Sequence, residues 1–118
     1  MKDILPDIAR LLGRLAETEL AFPERGETLP LITLTETGNS VSVILSGKDR
    51  YSVITVQADV YAADAQTARE IAMSASGILA EKGIRRTFSQ LITDEKYPRV
   101  CMRFRLGIDE ETGKVVSI

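Results

Sequence analysis

The segment from Tyr51 to Lys82 constrains the fold most tightly, because its apolar period switches from two residues to roughly 3.6 within a few positions. Between Tyr51 and Tyr61, Ile54, Val56, Ala58 and Val60 alternate with Thr55, Gln57 and Asp59. One side of an extended chain is therefore apolar and the other polar. After Ala62 and Ala63 the spacing becomes helical from Asp64 onward, and Ala65, Ala68, Ile71, Ala72, Ala75, Ile78 and Leu79 form one stripe. Alanine at so many contact positions predicts a helix axis lying close to a sheet, since only a methyl group separates its backbone from the neighbours. Gly83 is placed to end the helix at Lys82.

The rest of the chain fits around this unit. Over residues 3–20, Ile4, Leu5, Ile8, Leu11, Leu12 and Leu15 recur at helical spacing, with Asp3 as a cap, Pro6 in the first turn and Gly13 as the one weak spot. Pro23 and Gly26 break the pattern and predict an exposed loop over residues 22–27. Residues 29–36 and 41–46 read as a hairpin joined across Thr37, Gly38, Asn39 and Ser40, with Val41, Val43 and Leu45 on one face. Residues 47–50 then turn into the strand that begins at Tyr51.

Residues 84–93 and 98–108 predict a final strand pair, turned through residues 94–98. In its second member Val100, Met102, Phe104, Leu106 and Ile108 face inward, and Cys101, Arg103, Arg105 and Asp109 outward. Residues 109–114 form a turn, after which Val115 to Ile118 return as a short edge strand. The expected order is α-β-β-β-α-β-β in one domain over residues 1–118: an α+β fold with a mostly antiparallel sheet of about five strands and two helices on one face. Two helices about 10 Å wide cover roughly 20 Å, whereas five strands at about 4.8 Å span roughly 24 Å, so only one sheet face is covered. The other must meet water or another subunit. Tyr51, Val53, Asp59, Tyr61, Arg103 and Arg105 are the candidate interface residues on it, a mixture of side chains enriched at protein interfaces.

Composition narrows the chemistry. The 118 residues carry 15 Lys and Arg against 17 Asp and Glu, a net charge of −2. Direct nucleic-acid contact is not expected from such a balance, although Arg85, Arg86, Arg99, Arg103 and Arg105 crowd the last third. Histidine is absent, which removes the commonest general base and metal ligand. No apolar run approaches the ~20 residues that span a bilayer, and Met1 to Ile4 do not open a signal peptide, so the chain is expected to start here and to be made in a cytoplasm, away from membranes.

Each candidate site has a structural reading beside the chemical one. Cys101 is the only cysteine; without a histidine to deprotonate it, it reads as a small packing residue, and it has no disulfide partner. Ser46, Gly47 and Lys48 lack the upstream glycine and the residue order of a phosphate loop, so they read as a solvated turn. Asp109, Glu110 and Glu111 are adjacent rather than alternately spaced, as cation ligands in a calcium loop would be. Asp59 has no second carboxylate at a readable spacing for acid–base work, which favours a polar or interface role. No catalytic, metal or cofactor residues are therefore expected.

The succession Tyr51, Val53, Val56, Ala58, Asp59, Val60, Tyr61 and Ala62, the helix Ala65, Ala68, Ala72 and Ala75 closing on Leu79 and Gly83, and the outgoing strand from Arg99 to Arg105 together resemble the tail-terminator (tail-completion) and head–tail joining proteins of long-tailed bacteriophages. The resemblance covers about residues 51–106. It implies a phage or prophage virion structural protein: a ring-like homo-oligomer, hexameric by the family pattern, that caps the tail tube and meets the head connector. Its partners would be copies of itself, the tail tube protein and head connector proteins, with no cofactor. Its place would be the tail or head–tail junction of the virion. The terminator and the joining role are both open at this stage. Where such proteins often carry a tryptophan on the strand before the second helix, this chain has Tyr61, and it has no tryptophan anywhere. The alternatives are a non-viral oligomeric or adaptor α+β domain, or an enzyme whose carboxylate chemistry no spacing locates.

Overall fold

The computed structural model describes residues 3–19, 29–43, 50–93 and 96–118. Their elements follow in the order α1 (Leu5–Leu12), β1 (Glu17–Glu19), β2 (Leu31–Val43), β3 (Arg50–Tyr61), α2 (Ala65–Glu81), β4 (Arg85–Ile92), β5 (Arg99–Asp109) and β6 (Val115–Val116). The strands make one 6-stranded sheet ordered β1-β2-β3-β5-β4, with β6 also on β5. All pairings are antiparallel except that of β1 with β2. α2 packs on β3, β5 and β4, and α1 packs on β1, β2 and α2. The α+β class and the two-helix cover expected from the sequence are both present.

α2 follows the alanine stripe. Asp64 at its N-cap accepts the Thr67 N–H at 2.8 Å and the Thr67 hydroxyl at 2.9 Å, satisfying one of the orphan amides of the first turn. Ala68, Ala72, Ala75 and Leu79 are buried against the sheet. The chain leaves through Gly83 at φ 80°, a left-handed conformation that a side chain would strain, and the Ile84 N–H returns to the Leu79 carbonyl at 3.0 Å.

α1 is shorter than the apolar spacing over residues 3–20 predicts. Its N-cap is Ile4, without a side-chain cap bond, rather than Asp3, whose carboxylate one residue earlier accepts the Leu5 N–H at 3.1 Å; Ile8 and Leu12 are buried. The helix stops at Gly13, however, and residues 17–19 leave as β1 alongside Leu31, Ile32 and Thr33 of β2. Glycine is a poor helix former, and the extended backbone beyond it gains ladder hydrogen bonds on β2 that outweigh another turn of helix.

The hairpin expected across Thr37 to Ser40 is also corrected. Those residues lie inside one continuous strand, β2, which pairs with β3 from Leu31↔Tyr61 to Val43↔Arg50. The register shifts by one residue between Glu36 and Gly38, so Thr37 is the extra residue of a bulge, and its hydroxyl donates to the Thr55 carbonyl at 3.3 Å. β2 ends at Val43, paired antiparallel with Arg50 at the start of β3, and residues 44–49 lie between them in the chain. These, with the loop expected over residues 22–27, lie outside the described residues, as does the side-chain face expected for Val41, Val43 and Leu45. The predicted order of elements survives, because the strand lost by merging 29–36 with 41–46 is replaced by β1. β4 has a matching bulge at Thr87, whose hydroxyl donates to the Arg103 carbonyl at 3.4 Å.

On the helix side of the central ladder, Ile54, Val56, Ala58 and Val60 of β3 and Val100, Met102, Phe104, Leu106 and Ile108 of β5 are buried, none more than 4% exposed. This is the inward set that alternation predicts. They join Ile4, Ile8, Leu12, Ile32, Leu34 and the alanines of α2 in one core. The strands of 13 and 12 residues are about 40–44 Å long, and the molecule is correspondingly elongated, 50 × 23 × 21 Å.

Candidate functional site

The sheet face away from the helices carries the candidate interface residues, and strand register sets their neighbours. Tyr51 lies opposite Asp109, Val53 opposite Gly107, Thr55 opposite Arg105, Gln57 opposite Arg103, Asp59 opposite Cys101 and Tyr61 opposite Arg99. Tyr51, Val53 and Tyr61 are half-buried, and Arg103 and Arg105 are exposed. All five share this open face, as the sequence predicts.

Asp59 shares their face but not their exposure. It is 3% exposed. The Arg99 guanidinium donates to its Oδ1 at 2.8 Å and the Gln57 amide to its Oδ2 at 2.9 Å. Arg99 also lies 6.0 Å from the centre of the Tyr61 ring. Leu31, Thr33 and Cys101 on the same face are buried as well. The corner of the open face around Asp59 is therefore closed within the chain, and the exposed surface lies towards Arg103, Arg105 and the β6 end. Both Asp59 oxygens are engaged, which leaves no lone carboxylate placed for general-base work.

Cys101 behaves as its setting dictates. Burial pushes its thiol up from the ordinary value, and the neighbouring Asp59 carboxylate pushes the same way. A thiolate is disfavoured there. Asp109 Oδ1 accepts the N–H groups of Glu111 and Thr112 at 2.8 and 3.3 Å, and Glu110 accepts from the Ser52 hydroxyl. Asp109 thus serves its own turn and Glu110 ties that turn to β3, and no group of three metal-ligating side chains occurs among the described residues. Ser46, Gly47 and Lys48 lie outside the described residues.

Three apolar residues that sequence reasoning missed join the open face. Phe88 is 38% exposed and sits beside Arg103, whose guanidinium lies 5.1 Å from the ring centre. The β4 bulge puts Phe88 opposite Arg103 and so out of phase with a simple alternation. Val116 and Ile118 reach the face over Gly107, where an added Cβ would meet Val116 Cγ2 at 2.8 Å and Ile118 Cγ2 at 3.0 Å. Only glycine allows β6 to lie this close. A further shallow groove lies between α2 and β4, lined by Arg69, Ala72, Met73, Arg86, Leu91 and Val100.

The open face is thus a mixed aromatic, aliphatic and arginine surface, a composition enriched at protein contacts. No family model and no curated protein matches the chain. Among solved structures, a chain from the virion of a native gene transfer agent particle has a similar fold: TM-score 0.56, 18% identity, covering 91% of this chain and 86% of that one. At that identity the likeness is one of fold. Among the described residues no helix is long and apolar enough to cross a membrane.

Proposed function

We propose that this chain is a phage-derived virion structural protein, acting at the tail or head–tail junction as a tail-terminator or head–tail joining component. The observation that carries the reading is the fold shared with a chain of a gene transfer agent virion over most of both lengths. The open face supports it, since Tyr51, Val53, Phe88, Arg103 and Arg105 give a half-covered sheet a surface suited to another subunit. In this reading the protein catalyses nothing. Copies assemble into a ring at the end of the tail tube, hexameric by the family resemblance, and meet the tube protein and the head connector.

Light scattering across protein concentration, electron micrographs of the purified chain, and co-sedimentation with tail tubes polymerised from a phage tail-tube protein test this together. Rings in solution or saturable binding to tube ends are expected. Monomer mass at every concentration together with no binding to tubes overturns it.

A further inference from the structure

The two edges of the sheet are complementary. At one edge lies β4, exposed from Arg85 to Gln90; at the other lie β1 and the part of β2 beyond it. Among the described residues no strand pairs with the outer edge of β4, nor with that of β2 beyond Thr33. Such edges present unused N–H and C=O groups.

Their charges are opposite. β4 carries Arg85 and Arg86, flanked by Arg69 of α2 and by Arg105 of β5, which lies directly opposite Arg85. No ion pair engages these arginines among the described residues. The far edge carries Glu17 on β1 and Glu36 on β2, both exposed.

Strand direction also fits. β1 is parallel to β2, and each following step of the order β2-β3-β5-β4 reverses direction, so β4 runs antiparallel to β1 and β2. Two copies placed side by side in the same orientation therefore meet antiparallel at this junction, the commoner strand pairing. The helix layer continues as well, because α1 lies over the β1–β2 edge and α2 reaches β4, where Met73 is 71% exposed.

We propose that neighbouring subunits of the assembly join edge to edge, with β4 of one copy pairing antiparallel with the β1–β2 edge of the next. This rests on the ring reading above and specifies its contact. The contact is heterologous, as a ring requires. Charge and bulges at an edge guard against indiscriminate pairing; here the guard on β4 is of one sign. It repels a second β4 and so disfavours a two-fold dimer through that edge, but it accepts the glutamates of the far edge.

Charge exchange tests the contact without knowledge of its register. One variant carries Arg85→Glu and Arg86→Glu; a second carries Glu17→Arg and Glu36→Arg. Each alone should fall in self-association, in solution or on tail tubes, by at least about a hundredfold, since like charges then face each other. An equimolar mixture should assemble again, because the acidic β4 of the first meets the basic edge of the second, and the remaining two edges also match. Circular dichroism and thermal unfolding confirm that both variants fold, and the milder Arg85→Gln, Arg86→Gln pair replaces the first if it does not. Rings from either variant alone, or no recovery in the mixture, overturn the edge pairing while leaving the ring reading in place. A wild-type chain that stays monomeric both in solution and with tubes overturns the two together.

Discussion

The two faces of the β3–β5 ladder solve the same problem by different means. On the helix side every residue from Ile54 to Val60 and from Val100 to Ile108 that points inward is apolar, except where the alternation has ended, and burial follows from hydrophobic demand alone. On the open side Thr33, Asp59 and Cys101 are also buried, but around a charge whose two oxygens are met by Arg99 and Gln57. Elsewhere on that side, Arg103 and Arg105 stay exposed. Hydrophobic burial is non-directional and tolerates repacking, whereas a buried ion pair is acceptable only in one geometry. A burial pattern read from sequence is therefore dependable on the first face and blind on the second.

The sharpest way to break this contrast is across one residue step. Phe104, fully buried on the helix side, should cost about 3–5 kcal/mol when replaced by alanine, whereas Arg103→Ala should cost under about 1 kcal/mol, mainly its contact with Phe88. Urea denaturation of the two variants reads the difference. Equal losses would mean that the faces are not distinct.

The next effect tests whether the open side is held by the pair. Asp59→Ala removes the carboxylate that Arg99 and Gln57 both reach and should cost about 2–4 kcal/mol. Replacing Arg99 with methionine in the same chain should recover part of that loss, because the guanidinium is no longer held against a site that has lost its carboxylate. No recovery in the double-mutant cycle would show that Asp59 contributes through packing alone.

The smallest effect lies off both faces, at the Asp64 cap. The Thr67 N–H and hydroxyl hold the Asp64 carboxyl below its ordinary value. A group whose folded pKa is depressed adds stability that is present above its unfolded pKa and is lost as pH falls through the folded one. Asp64→Asn keeps a capping oxygen but not the titration, so the variant should lose less stability than the parent over that acid range in a pH series of thermal melts. Parallel acid limbs would contradict the assignment.

Much of the architecture was legible. β3, α2 and β5 keep a single period from end to end, and nothing in their surroundings overrides it. The first half of the chain misled for identifiable reasons. Thr37, Gly38 and Asn39 have the composition of a turn, yet β3 is long enough to continue past them, and a bulge absorbs the odd residue with the Thr37 hydroxyl bonded across to Thr55. Glu17, Thr18 and Glu19 have no apolar alternation at all; they become a strand because β2 offers a backbone to pair with. Of the site, Tyr51, Val53, Tyr61, Arg103 and Arg105 follow directly from alternation. Phe88 did not, because the bulge at Thr87 reverses its phase, and the burial of Asp59 did not, because Arg99 reaches it diagonally across two strands.

The outward charges of β5 have a consequence for the alignment of the central ladder. Apolar alternation alone distinguishes neighbouring alignments of β3 and β5 by the loss of core contacts, a penalty spread over many weak terms. A one-residue slip would also carry Arg99, Arg103 and Arg105 to the helix side, where Val56, Ala58 and Val60 present an apolar surface. The wrong alignment is thus rejected by a few large errors, each a charge turned against apolar side chains, as well as by a sum of small ones. In energetic terms, the outward charges of β5 act as proofreading for the central ladder, widening the gap between the native alignment and its neighbours.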